Sequence, residues 1–232
     1  MNDLSPYILY KSMKTILFDT ANKRVPVGKI LCLGRNYDEH AKEMKSDVPE
    51  TPIVFLKPST ALIENGETII RPVISKEMHH EVELVVVIGK DGKHIPRPNA
   101  YDHVFGYAIG LDMTLRDLQS ESKKHGLPWT LAKGFDTSAA ISKIIPKEKI
   151  QNPHALEIRC LVNGIVRQSS STQKMIFPID FIVSFLSSIF TLETGDLIYT
   201  GTPEGVGEVN NGDVVLAELV GYTSITHRIQ TA

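Results

Sequence analysis

The chain has 232 residues, 42% of them apolar, with 25 basic against 27 acidic side chains. A net charge of −2 argues against nucleic acid as a partner, and this apolar content excludes disorder. The longest uninterrupted apolar run, residues 84–88, is far shorter than the ~20 residues that cross a bilayer, and the opening residues lack the pattern of an export signal, so neither a membrane partner nor secretion is expected.

Residues 1–12 read as an N-terminal extension, with a first strand starting at Met13. Residues 13–232 contain no Ser/Gly linker, charge block or repeat and read as a single domain. Cys32 and Cys160 lie far apart in apolar, strand-like runs, which predicts two buried thiols and a reducing, cytoplasmic location. Asn36 stands where it can cap a helix through His40 and Lys42, with Glu39 completing a capping-box-like pattern. His40 and Glu43 then share one helix face. The pair suits either a carboxylate-oriented general base that activates water or a solvated helix surface.

Lys57 and Lys133 carry ammonium groups into otherwise apolar stretches, where each requires an anionic partner, structural or bound. Asn65-Gly66, Asp91-Gly92 and Asn163-Gly164 sit between strand-like residues and predict type I′ hairpins, so antiparallel pairing should dominate. The segment His80-Glu81-Val82-Glu83-Leu84 opens the apolar run. Strand alternation puts Glu81 and Glu83 on one face, followed there by Val85 and Val87, so two carboxylates meet the edge of a core. A solvated strand end accounts for this pattern, and so does a divalent cation.

Asp112 ends the mainly apolar stretch 105–111. Just beyond it, Thr114 with Asp117 can cap a helix through Leu118 and Lys124 that Gly126 and Pro128 stop. Asp112 reads either as an Asp at a helix start bonded to local amides or as a third metal ligand. Three carboxylates without Cys or zinc-type His spacing select Mg²⁺ or Mn²⁺ before Zn²⁺, leaving about three of six coordination positions for water or substrate.

Residues 155–162 alternate as a half-buried strand does. Ser169-Ser170-Ser171-Thr172 reads as a flexible loop, since no G-x-S-x-G nucleophile elbow occurs. Pro178 opens a third helix through Phe181, Phe185 and Leu186, whose stripe faces the core. The segment Thr200-Gly201-Thr202-Pro203-Glu204-Gly205-Val206-Gly207 lacks Gly-Lys-Ser/Thr, which excludes a phosphate loop. Its amides and the Thr202 hydroxyl can bind a carboxylate. Many short strands with few helices predict a β-rich α+β domain.

Six ordered motifs resemble the fumarylacetoacetate hydrolase family, over about residues 16–229. They are Gly34-Arg35-Asn36-Tyr37 with His40, Phe55-Leu56-Lys57-Pro58-Ser59, His80-Glu81-Val82-Glu83-Leu84, Leu111-Asp112-Met113-Thr114 with Arg116-Asp117, Pro128-Trp129-Thr130-Leu131-Ala132-Lys133, and the 200–207 segment. The 126–133 stretch and the His40/Glu43 pair are similar to the short acylpyruvase and oxaloacetate decarboxylase branch.

The resemblance implies a mixed β-roll with a few short helices and a homodimer. It implies Glu81, Glu83 and Asp112 as Mg²⁺ (or Mn²⁺) ligands, and Lys133 beside the metal-bound substrate. His40 and Glu43 match a dyad on a short helix that orders as a lid, with the chain after Met44 meeting the distal part of the substrate. Arg35, Lys57, Arg116, Gln119 and Thr202 fall where the family contacts substrate oxygens. Gly134 departs from the pattern, since close relatives often carry a larger residue there.

The implied activity is metal-dependent hydrolysis of the C–C bond of acylpyruvates, with oxaloacetate decarboxylation, both through a metal-stabilised pyruvate enolate. The alternative is isomerisation or tautomerisation of 2-oxo or 2-hydroxydienoic diacids. A third reading, a catalytically silent metal-stabilised scaffold, gives no use to a base beside the cation. The expected partner is a small 2-oxo acid.

Overall fold

A computed structural model describes residues 14–18, 23–43 and 49–232. The extension at 1–12, the strand start at Met13 and the lid segment after Met44 lie outside the described residues.

The strand Val82–Ile88 is the axis of the fold, and all of its residues are buried. It pairs antiparallel with Leu197–Tyr199 on one side and with Val104–Asp112 on the other. From Leu197–Tyr199 the sheet continues through Ile30–Gly34 to Ile53–Lys57 at one edge; from Val104–Asp112 it continues through Ala139–Ile141 to Leu62–Glu64. A second sheet runs in the order Ile165–Ser171, Glu157–Val162, Val214–Leu219, Thr223–Thr231 and Ile69–Arg71. Four short α-helices accompany the described strands: α1 (Asp38–Glu43), α2 (Arg116–His125), α3 (Thr130–Lys133) and α4 (Ile179–Ile189). The fold is therefore a β-rich α+β domain of curled sheets, and antiparallel pairs outnumber parallel ones.

Leu84, Val86 and Ile88 join Ile158, Cys160 and Val215 of the second sheet in the main core. The helix α4 belongs to the same core through Ile182, Val183 and Leu186, and Phe181 and Phe185 of its predicted stripe pack half-buried against it. Val85 and Val87 pack on the opposite face with Cys32, Ala108 and Tyr199. Burial of each such aliphatic side chain stabilises the fold by about 1.5–3 kcal/mol. The two faces matter for the site because Glu81 and Glu83 extend the Val85 face beyond the edge of its apolar cluster.

Several local expectations need correction. Of the three hairpins, only Asn163-Gly164 forms, with φ of 51° and 79° between adjacent strands. Asn65-Gly66 links two strands that pair elsewhere, each in parallel, with Ala139–Ile141 and Thr223–Thr231; Asn65 Oδ1 accepts the Thr226 N–H instead. Asp91 accepts the N–H and hydroxyl of Thr194, and Gly92 bridges to Leu192. Asn36 does not cap α1. It is buried, donates to the carbonyls of Phe177 and Thr200, and accepts the Phe177 N–H.

Thr114 Oγ1 donates to the Asp112 carbonyl, and Asp117 accepts from Ser75 Oγ and the N–H groups of Lys76 and Leu118. The helix α2 consequently starts without a side-chain cap, although Gly126 ends it in the left-handed region at φ 65°. The serine cluster is no loop: Ser169, Ser170 and Ser171 are strand residues paired with Glu157–Val162. The partner strand satisfies their main chain, and Thr172 Oγ1 accepts the Leu156 N–H and donates to the Pro153 carbonyl. Cys32 and Cys160 are buried, unpaired thiols, as predicted. Among the described residues no helix is long and apolar enough to cross a membrane.

Candidate active site

Asp112 stands opposite Glu81 on the neighbouring strand, its N–H donating to the Glu81 carbonyl at 2.8 Å. Together with Glu83 they bring one oxygen each within 4.8 Å of one another. Glu81, Glu83 and Asp112 are 5%, 1% and 0% exposed, so the start of this strand is not solvated. Carboxyl groups this deep require either a cation or a proton. Lys133 Nζ lies 2.7 Å from Glu81 Oε2 and 2.6 Å from Asp112 Oδ2. Lys57 Nζ lies 2.8 Å from Asp112 Oδ1, and Arg116 pairs with Glu81 Oε1. Both lysines singled out by their apolar surroundings thus find carboxylate partners.

Glu83 has no lysine or arginine partner among the described residues; the Gly201 N–H donates to its Oε2 at 2.8 Å. Burial, and then repulsion from Asp112 and Glu81, holds Glu83 well above the ordinary carboxylate range. Burial would raise Glu81 too, but Lys133 and Arg116 overcome it and hold this group well below its usual value. The donor set is all carboxylate oxygen, Asp112 Oδ1 makes no aligned hydrogen bond, and an ionised Glu83 lacks a counter-charge. These residues fit a hard divalent cation of the Mg²⁺ or Mn²⁺ kind.

His40 is 5% exposed on α1, with Nδ1 3.2 Å from Glu43 Oε2. Burial lowers its pKa and favours the neutral ring, outweighing Glu81 and Glu43. The solvated side of α1 is formed by Glu39 and Lys42 instead. Glu43 also receives the Gly205 N–H at 3.1 and 3.2 Å from its two oxygens.

The glycine-rich segment therefore has a specific use: its amides hold Glu83 and Glu43. Gly201 and Gly205 have φ of 96° and 90°; a Cβ would come 2.6 Å from Asn36 Cβ at the first and 2.1 Å from the Arg167 carbonyl oxygen at the second. Only glycine fits either place.

His40, Glu81, Glu83, Lys133, Arg116 and Gln119 border one cavity. Arg35 and Thr202 border it as well. In this structure Thr202 Oγ1 donates to the Val82 carbonyl and accepts from Gln168 Nε2. Lys57 does not border this cavity; it is held by Asp112, Ser138 Oγ and the Lys133 carbonyl.

Two residues of this environment escape the sequence reading. Gln168 reaches in from the second sheet: its Oε1 accepts the Val82 N–H and lies 3.0 Å from His80 Nδ1, while Nε2 donates to Thr202 Oγ1 and the Pro203 carbonyl. Its polar surroundings in the sequence give no sign of this. Lys123 also borders the cavity. It follows Arg116 and Gln119 on one face of α2, a helical spacing that finds it once the face is identified.

Residues 29–230 match the family described as fumarylacetoacetate (FAA) hydrolase, C-terminal. The chain belongs to the fumarylacetoacetate hydrolase family. The site residues from Arg35 to Thr202 all fall inside the matched span. A family relative, "Oxaloacetate tautomerase FAHD1, mitochondrial" of Mus musculus, is 51% identical over 201 residues, covering 87% of this chain and 91% of the relative. Its name places that relative in mitochondria, so it lends no support to the cytoplasmic expectation.

Among solved structures of this fold, fumarylpyruvate hydrolase from Pseudomonas aeruginosa, in complex with Mn²⁺ and pyruvate, matches with a TM-score of 0.92 at 38% identity, covering 96% of this chain and 97% of the other. The 5-carboxymethyl-2-hydroxymuconate delta-isomerase of Mycobacterium smegmatis matches with a TM-score of 0.80 at 38% identity, covering 90% and 81%. This chain is accordingly an enzyme of the fumarylacetoacetate hydrolase family.

Proposed function

We propose that this enzyme moves a proton at C3 of small 2-oxo acids, interconverting the keto and enol forms of a diacid such as oxaloacetate, with Mg²⁺ or Mn²⁺ held by Glu81, Glu83 and Asp112. The observation that carries this reading is His40, paired with Glu43, bordering the same cavity as Glu81 and Glu83 of the buried triad. The relative at 51% identity, named as an oxaloacetate tautomerase, supports ranking tautomerisation ahead of the C–C hydrolysis that the motifs put first.

A cation at the triad supplies Lewis-acid polarisation of the 2-oxo carbonyl. The remaining work falls to side chains. Lys133, fixed by Glu81, Asp112 and Thr114 Oγ1, offers its ammonium where negative charge develops on the 2-oxo oxygen. Neutral His40 takes the proton from C3, and Glu43 orients the ring and stabilises the imidazolium. Return of that proton from the imidazolium, directly or through water, to the 2-oxo oxygen yields the enol and regenerates neutral His40, and the same steps in reverse yield the ketone. Arg116 donates to Gln119 Oε1 at 2.6 Å, which leaves the Gln119 NH₂ to donate to a substrate oxygen.

The second reading keeps the dyad but gives it water: His40 deprotonates a water that attacks the distal carbonyl of an acylpyruvate. Similarity to the fumarylpyruvate hydrolase favours it. The test is to add protein and Mn²⁺ to oxaloacetate and to acetylpyruvate, following enol absorbance and pyruvate release. Faster keto–enol relaxation without pyruvate supports the first reading, and pyruvate from acetylpyruvate supports the second. Absence of both signals would overturn both readings. The homodimer implied by the motifs belongs to this proposal, and a monomer mass by light scattering would remove it.

A further inference from the structure

Among the described residues, two cations at the cavity lack an anionic partner. Arg35 directly follows the strand Ile30–Gly34 and takes φ 58°, a left-handed conformation uncommon for a residue with a side chain. It borders the cavity, and its Nε is buried without an acceptor. No carboxylate among the described residues pairs with it. Lys123 comes to the same cavity from α2, its Nζ 5.2 Å from the centre of the Trp129 ring, again with no carboxylate. Burial, then Arg116 and Arg35, push the Lys123 pKa down to about 8.

The other cations at the site differ. Lys57, Lys133 and Arg116 each touch Asp112 or Glu81, so these three positive charges are engaged by two carboxylates of the triad. Arg35 and Lys123 are the surplus. Like charges held close in a partly desolvated pocket are unfavourable until an anion joins them.

We infer that Arg35 and Lys123 form the subsite for the second carboxylate of a 2-oxo diacid. This rests on the reading of the cavity as a 2-oxo acid site and adds the distal group that the sequence leaves open. The 2-oxo end lies toward Lys133 and the acidic triad, and the distal carboxylate lies toward Arg35 and Lys123. A substrate with a neutral acyl group leaves both cations unpaired, which is how the site discriminates against it.

The test uses the 2-hydroxy analogues malate and lactate, which differ by the distal carboxylate and are not tautomerised. Each is titrated calorimetrically into Mn²⁺-loaded protein. The wild type is expected to favour malate by about tenfold or more, the size expected for a charge-assisted contact. In Lys123→Gln this ratio should fall about tenfold, and Lys123→Arg should restore it. For turnover, the substitution should raise KM for oxaloacetate more than it lowers kcat. A wild-type ratio near one, or a ratio that Lys123→Gln leaves unchanged, would overturn the inference. Preference for malate without turnover of any 2-oxo acid would remove the proposed reaction and leave the diacid subsite standing; turnover without that preference would do the reverse.

Discussion

The Lys133 ammonium sits 2.6 Å from Asp112 Oδ2, and the two side chains are only 3% and 1% exposed. The same ammonium reaches Glu81 at 2.7 Å. One cation thus ties two strands of the central sheet together where their carboxylates converge. Its charge is as much a condition for folding this edge as for chemistry.

Replacing Lys133 by Met leaves two buried carboxylates short of a partner. The metal-free variant should lose about 3–5 kcal/mol of stability, as breaking a buried ion pair does. Urea denaturation measures this. Added Mn²⁺ should raise the midpoint more in the variant than in the wild type, while turnover falls by about 10²-fold or more. Equal midpoints in the two metal-free proteins would show that the ammonium is not the counter-ion described.

Glu83 and Glu81 are displaced in opposite directions, and the signs predict opposite pH effects. Glu83 is held above its ordinary value of 4.5, so its favourable contribution is complete below 4.5 and is lost as pH rises through the raised value. Glu81 is held below 4.5, so its contribution is present above that pH and is lost as pH falls through the lowered value. Glu83→Gln should therefore raise the melting temperature of metal-free protein at alkaline pH and flatten its decline. In the wild type, Mn²⁺ must displace the Glu83 proton, so affinity should increase with pH. Glu83→Gln should weaken that affinity and its pH dependence, both readable by calorimetry.

The pKa of buried His40 is lowered from its ordinary value of 6.5, chiefly by burial. The acid limb of kcat/KM for tautomerisation should accordingly have its midpoint below 6.5. Glu43 acts to raise His40, so Glu43→Gln should move that limb to still lower pH as well as reduce kcat. His40→Ala should cost about 10²–10⁴-fold in rate. A pH profile with its acid limb unmoved in Glu43→Gln would dissociate the pair.

Gln168→Leu orphans the Val82 N–H and the His80 ring, and removes the donor to Thr202. Each buried group left unsatisfied costs about 1–3 kcal/mol, so a clear drop in melting temperature is expected. Because Gly201, which holds Glu83, adjoins Thr202, Mn²⁺ affinity should fall too. Unchanged Mn²⁺ affinity in a folded variant would show that the 200–203 segment holds its place without Gln168.

The parts of the site legible in the sequence are those set by local periodicity. Alternation along a strand is enough to put Glu81 and Glu83 on one face, and a spacing of three on a helix is enough to bring His40 to Glu43. Failures came where a polar side chain bonds far along the chain. Asn36 looks like a helix cap, but its amide is used by Phe177 and the Thr200 carbonyl. The Thr202 hydroxyl closes a network through Gln168 that its own sequence neighbours do not announce. Local rules cannot reveal partners more than a hundred residues away.

By itself, the sequence determined the family, the β-rich class and the set of carboxylates and cations, since these follow from motif order, periodicity and the need of each buried charge for its opposite. Only the tertiary structure decided which cation meets which carboxylate. Lys57, Lys133 and Arg116 found partners because strand pairing and the packing of α2 and α3 bring them to the triad. Arg35 and Lys123 reach the same cavity with no carboxylate partner among the described residues. Electrostatic pairing depends on distances of a few ångströms between distant segments, and that information exists only once the sheets have closed.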